Sequence, residues 1–165
     1  MSTINFKPDF SLIYKEQKAS ITRLCYLYLK NEALAQDAAQ ETFIKAYRNL
    51  SDFRAESEIN TWLTAIAVNT CKSLMRKKSY KSNVSLNEAI CIEHQNKDVE
   101  TILTVSEAVK SLPKDLRVVA ILKYYRELKT KDIAKILKLP ATTINYRLSK
   151  AKEILREKLK EDFYD

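Results

Sequence analysis

Three stripes of side chains in this chain have the types and spacing for chemistry, and in each it is the chemistry of recognition. Trp62, Ala65, Asn69, Lys72 and Arg76 are separated by 3, 4, 3 and 4 residues and so share one helical face. They offer an aromatic plane, an amide and two cations. A single-stranded nucleic acid calls for those groups: stacking for bases, hydrogen bonds for base edges, positive charge for phosphates. Taken alone, the same residues also fit a core tryptophan and ordinary cations near a helix C-terminus. An asparagine in a helix interior is less easily explained by propensity.

A second stripe, Asp37, Gln40, Glu41, Ile44 and Arg48, lies beside Ala39, Phe43, Ala46 and Leu50, which should pack inward. A polar stripe carrying an exposed aliphatic residue suits a protein-docking surface, and equally a solvated face. The third stripe follows Thr130-Lys-Asp-Ile-Ala-Lys-Ile-Leu-Lys-Leu-Pro-Ala-Thr-Thr-Ile-Asn-Tyr-Arg147, which reads as a helix-turn-helix. Thr130 can cap its first helix; Ile133 and Leu137 face inward; Leu139 fills the turn; Ile144 anchors the second helix. Lys138 stands where the turn needs a positive φ, usually supplied by Gly or Asn. Asn145, Tyr146, Ser149, Lys150 and Lys152 are exposed on the second helix. Asn can pair with adenine, and Lys can reach guanine or phosphate. Arg147 suits a phosphate or a structural ion pair.

The elements that must position these stripes are helices. The chain has 165 residues, no Gly and only three Pro, which disfavours tight strand turns. Asp9 should cap a helix to about residue 30, with Phe10, Ile13, Ile21, Leu24, Cys25 and Tyr28 near a 3.6-residue period. Asn31 should cap a second helix to Leu50, a polar loop follows over 51–58, and a third helix runs over about 59–78. Leu63, Ile66, Ala67, Thr70 and Leu74 form its core side. Residues 82–100 are polar and acidic and mark the domain boundary, with Leu86, Ile90 and Ile92 able to dock. Further helices are predicted over about 101–111, 114–127, 131–138 and 142–161, with Pro113 and Pro140 at or near helix starts.

Charge follows that division. Residues 1–82 hold 13 Lys+Arg against 8 Asp+Glu, residues 83–100 hold 1 against 4, and residues 101–165 hold 15 against 9. Two basic lobes around an acidic strip fit a polyanion that touches both, or a lysine-coated helical surface. Cys25, Cys71 and Cys91 lack metal or disulfide spacing, and His94 is the only histidine. No nucleophile–base pair, metal cluster or phosphate loop is visible, so neither an enzyme nor a cofactor is expected. Without an apolar leader or a membrane-length apolar run, the expected compartment is cytoplasmic.

The two motif-bearing segments occur together and in order: Asp37-Ala-Ala-Gln-Glu-Thr-Phe-Ile-Lys-Ala-Tyr-Arg48 with Thr61-Trp-Leu-Thr-Ala-Ile-Ala-Val-Asn-Thr-Cys-Lys72, then the helix-turn-helix. The combination resembles a small alternative sigma factor of the extracytoplasmic-function group, over nearly the whole chain outside 1–8 and 82–100. The resemblance implies an all-α protein: a region 2-like domain at 1–81, a linker at 82–100 and a region 4-like domain at 101–165. It implies docking on the β′ clamp helices of core RNA polymerase through Asp37, Gln40 and Glu41, with Ile44 and Tyr47 contributing, and contact with the β subunit. Phe43 fits a core role better. It implies recognition and melting of the promoter −10 element by Phe53, Arg54, Ser57, Trp62, Asn69, Lys72 and Arg76. The loop from Phe53 to Glu58 would capture a flipped base. It places Thr142, Thr143, Asn145, Tyr146, Arg147, Ser149 and Lys150 on the −35 element. Where many members carry Arg, this chain has Asn145 and Lys150, so the usual −35 sequence is not expected. A cognate anti-sigma factor, often membrane-anchored, is the implied regulator. The alternatives are a stand-alone helix-turn-helix regulator and a helical adaptor without DNA binding.

Overall fold

In the computed structural model of the chain, residues 8–54, 57–81 and 99–164 are described, and every regular element among them is helical. Helix α1 spans Phe10–Leu29, α2 Glu32–Asn49 and α3 Ile59–Lys81; a 3₁₀ turn at Leu50–Asp52 lies between the last two. Then come α4 at Val99–Ser111, α5 at Lys114–Ala120, a π-helical turn at Ile121–Tyr125, α6 at Thr130–Leu137 and α7 at Ala141–Tyr164. Cys91, His94 and most of the expected linker, with Leu86, Ile90 and Ile92, lie outside the described residues.

The helix ends follow local chemistry. Asp9 Oδ1 accepts the Ser11 N–H at 2.9 Å, and Asn31 Oδ1 accepts the Leu34 N–H at 2.9 Å, so both expected caps form. Lys30 closes α1 with φ 58° and Lys138 closes α6 with φ 54°. Lys138 thus supplies the left-handed turn of the helix-turn-helix, and Leu139 N–H reaches Ala134 O at 3.1 Å across it. The Thr130 cap is not formed. Lys129 occupies the N-cap position without a side-chain bond, and Thr130 is already the first helical residue. The expected helix over 114–127 is also interrupted. It widens into the π turn at Ile121, Glu127 takes φ 55°, and Leu128 N–H bonds back to Leu122 O at 3.1 Å.

Packing in the first three helices relies on small residues. Ala35, Ala38, Ala39 and Ala46 of α2 are buried, letting its axis approach α1, which contributes Ile21, Leu24, Cys25 and Tyr28. Thr42, Thr64 and Thr70 are fully buried, and their hydroxyls donate to Ala38 O, Asn60 O and Ile66 O at 2.6, 2.6 and 2.8 Å. Those bonds remove the cost of burying an unpaired hydroxyl. In the second half, Ile133, Ile144 and Leu148 join α6 and α7 to Val119 and Leu122. The two halves share one continuous apolar cluster, so they pack against each other across the α1–α3 surface.

Candidate nucleic-acid and protein interfaces

The docking stripe of α2 is displayed outward. Asp37 and Gln40 are exposed, Glu41 is partly exposed, and Ile44 and Tyr47 retain 44% and 66% of their surface. That much exposed aliphatic and aromatic area is what a partner would cover. Glu41 pairs with Lys45 at 3.0 Å, and Lys45 also reaches Thr70 Oγ1 at 3.3 Å, which ties the stripe to α3. Phe43 is buried, as its core role requires. Its ring nevertheless helps form a groove of about 780 Å³ with Gln40, Ile44, Tyr47 and two residues of α1, Phe10 and Tyr14. Tyr14 stands edge-on to Phe43 at 4.9 Å and Phe10 to Tyr47 at 5.1 Å. Tyr14 was not singled out by sequence reasoning, and Phe10 was read only as core. Their spacing, one turn apart at the start of α1, was the available signal.

The α3 stripe is divided. Trp62 is half-buried, stacks obliquely on Phe53 at 5.2 Å, and packs partly against the core. With Ala65 it borders a hollow of about 630 Å³ whose opposite wall is Leu128, Lys131, Lys135 and Ile136. Arg54, Ser57 and Asn69 are exposed; Glu56 lies outside the described residues. Further along, exposed Arg76 and half-buried Lys72 border a second hollow of about 270 Å³ with Tyr28, Lys114, Asp115 and Arg147. Burial lowers the Lys72 pKa, and the positive charges of Arg76, Lys114 and Lys138 lower it further.

The α7 stripe is open. Thr142, Asn145, Ser149 and Lys150 are exposed, Tyr146 retains 64% of its surface, and Thr143 is half-buried. Arg147 is half-buried with Nη2 3.8 Å from Asp115 Oδ2, so of its two candidate roles the structural ion pair is present. Lys150 is 3.6 Å from Glu153 and Lys152 is exposed.

Sequence reasoning missed two arginines between the halves and one contact inside the first half. Arg117 is buried and donates to Tyr28 O at 3.2 Å and Leu112 O at 3.1 Å. Arg126 is buried among side chains of α1 and α3. Cys25 and Cys71, read from the sequence as unpaired, meet in the core. A hydrogen bond to Cys25, together with burial, pushes the Cys71 thiol well up, which disfavours the reactive thiolate. Among the described residues no cluster of His, Cys, Asp and Glu could hold a metal ion, and no helix is long and apolar enough to cross a membrane.

Two helical units, the second closing on a helix-turn-helix, define a class of DNA-directed protein, and comparison with known families makes it specific. Residues 13–80 match the Sigma-70 region 2 family and residues 102–155 match Sigma-70, region 4. The chain is 33% identical to the RNA polymerase sigma-H factor of Pseudomonas aeruginosa, covering 93% of this chain and 87% of that protein. It is 32% identical to the ECF RNA polymerase sigma factor SigW of Bacillus subtilis, covering 93% and 88%. The fold matches a sigma factor RpoE solved with the anti-sigma factor NepR from Bartonella quintana at a TM-score of 0.82 and 25% identity, covering 92% and 97%. It also matches CnrH, solved with the cytosolic domain of CnrY, at a TM-score of 0.67 and 19% identity over 93% and 88%. The chain belongs to the extracytoplasmic-function sigma factors of the sigma-70 family. It is an alternative sigma factor that binds core RNA polymerase and promoter DNA and directs transcription initiation.

Proposed function

We propose that this sigma factor docks on the β′ clamp helices through Asp37, Gln40, Glu41, Ile44 and Tyr47, and that Phe10 and Tyr14 extend the surface. Its −10 face is the Phe53–Ser57 loop with Trp62, Asn69, Lys72 and Arg76. Its −35 face is Thr142, Thr143, Asn145, Tyr146, Ser149 and Lys150, with Arg147 set aside for Asp115. The observation that carries this reading is the outward display of the α2 stripe beside the aromatic groove. A large exposed tyrosine and isoleucine beside solvent-facing acids are the parts of a desolvated interface. The chain acts in the cytoplasm, and a cognate anti-sigma factor, which can be membrane-anchored, controls it by covering the docking stripe and α7. The likeness to sigma factors solved with anti-sigma partners supports that control.

Charge reversal tests the docking assignment. Asp37→Lys and Glu41→Lys should fold as wild type, because both side chains reach solvent. Each should lower core-polymerase affinity at least about tenfold, as loss of a buried interfacial charge contact does. Competition against another sigma factor measures it. Wild-type affinity in both variants removes α2 as the docking element and moves core-polymerase docking to another surface.

A further inference from the structure

The seam between the two halves concentrates positive charge in a small concave space. Lys72 and Arg76 reach the hollow of about 270 Å³ from α3, Lys114 from α5 and Arg147 from α7. These residues are distant in sequence, so the cluster exists only in the fold. Asp115 is the carboxylate of the wall, and Tyr28 borders it from α1. Four cations against one carboxylate leave the lining with three net positive charges. The crowding is felt at Lys72. Burial lowers its pKa, and Arg76, Lys114 and Lys138 lower it further.

The chain's own acids do little to relieve it. Lys72 and Lys114 take no part in the ion pairs among the described residues, which are Lys45–Glu41, Lys110–Glu107, Arg147–Asp115 and Lys150–Glu153. Arg147 meets Asp115 only at 3.8 Å, and the Asp115 side chain keeps 73% of its surface, so it can turn to water without unpacking anything. Val118, Leu137 and Leu139 complete the wall. Apolar walls keep the local dielectric low, which strengthens the attraction for an anion.

Size and direction select the anion. The hollow is smaller than the roughly 300–1,000 Å³ of pockets for drug-sized ligands, so charge rather than apolar area must supply affinity. The cations approach from three helices. A tetrahedral oxyanion offers oxygens in all those directions, whereas a carboxylate offers two in one plane. Arginine matches phosphate oxygens in pairs, and lysine adds a point charge. The net charge of the lining exceeds the roughly −1.5 to −2 of one phosphate monoester, which favours two linked phosphates. Burial pushes the Tyr28 phenol up to about 12, so it stays a hydrogen-bond donor and adds no negative charge. We propose that this hollow binds a diphosphate group, gripped by Lys72, Arg76, Lys114 and Arg147, and that a small diphosphate-bearing molecule is a ligand of this sigma factor. Lys72 and Arg76 are also the cations assigned to −10 phosphates, so ligand and single-stranded DNA compete for them. That competition rests on the reading of α3 as the −10 face; the site itself does not.

Calorimetric titration of the full chain with pyrophosphate and with inorganic phosphate, at constant ionic strength, tests the site. Saturable binding is expected, tighter for pyrophosphate. Lys114→Ala should weaken pyrophosphate binding at least about tenfold, as loss of a charged hydrogen bond does. Asp115→Asn should tighten it several-fold, because the acid that competes for Arg147 is neutralised. Both side chains are exposed, so both variants should fold as wild type. Arg156→Ala, at an exposed position of α7 that does not line the hollow, should bind as wild type. No saturable binding by the wild-type chain overturns the site. Equal losses in Lys114→Ala and Arg156→Ala mean diffuse counterion binding and overturn it too, and weaker binding in Asp115→Asn overturns its placement. A fluorescent single-stranded −10-like oligonucleotide reads the competition. Pyrophosphate at about ten times its own Kd should weaken oligonucleotide binding about tenfold, by mass action. Pyrophosphate binding with unchanged oligonucleotide affinity leaves the site standing and overturns the assignment of Lys72 and Arg76 to −10 phosphates.

Discussion

The two surfaces assigned to DNA are presented differently. The N-terminal half of α7 stands open, with Asn145, Tyr146, Ser149 and Lys150 all reaching solvent. The α3 stripe is half-closed: Trp62 and Ala65 border region 4, Lys72 borders the basic hollow, and Asn69 lies exposed between them. The difference fits what each surface is proposed to do. A helix that reads duplex edges can be rigid and permanently displayed, because B-form DNA arrives preformed. A surface that stacks unpaired bases is large, aromatic and apolar, and left uncovered it invites other contacts. Trp62 illustrates this, since the ring proposed to receive a base also packs against the core and Phe53.

Substitution within the α3 stripe should give the largest effect and tests whether the half-closed surface is the melting surface. Asn69→Ala removes an exposed amide and no packing, so stability should be unchanged. Open-complex formation, read by permanganate reactivity across the −10 region, should fall about tenfold, the worth of one good base-edge contact. Binding to a pre-melted bubble should fall less. Trp62→Ala should lose as much reactivity and also lower the melting temperature, because it deletes core packing. Wild-type reactivity in Asn69→Ala would move melting elsewhere.

Sequence alone made some of this comparison legible. Period and cap residues gave α1, α2 and the helix-turn-helix, since Asp9, Asn31 and Ile144 act through neighbours a few residues away. The need for a positive φ at Lys138 was readable for the same reason. The π turn was not, because Ile121–Tyr125 fits a helical pattern as well as the residues before it. Nor were the contacts of long range. Arg126 to Gln17, Arg117 to Tyr28 and Cys25 to Cys71 join residues far apart in sequence, and periodicity shows which face is apolar without showing what meets it.

On the open surface, smaller and more selective changes are expected. Lys150→Ala should weaken promoter binding a few-fold and reduce the salt slope by about 1, as loss of one phosphate contact does. Asn145→Ala should leave the slope alone and alter base preference. Selection on randomised −35 sequences separates the two. The same motif returned for wild type and Asn145→Ala would remove Asn145 from the reading set. A uniform loss for Lys150→Ala across sequences, with no change of motif, would make Lys150 a positioning contact.

The smallest effect concerns the seam itself, where Tyr28 reports whether the two surfaces are held together in solution. Its ring is buried, its carbonyl accepts from Arg117, and its side chain borders the basic hollow. Burial, reinforced by Cys71 and Asp115, pushes its pKa up to about 12, against the pull of Arg117 and Arg76. The neighbouring Lys72, Lys114 and Arg147 also face it across the hollow. Because the folded phenol holds its proton above the ordinary value of 10.0, the unfolded chain releases that proton first as pH rises. The stabilisation is complete below pH 10 and drains away towards about pH 12. Tyr28→Phe has no such proton to lose, so its denaturation midpoint should fall less steeply than wild type across that window. Phenolate absorbance should show one late-titrating tyrosine missing from the variant. If no tyrosine of the wild-type chain titrates late, Tyr28 is solvated and the two halves are not held together in solution.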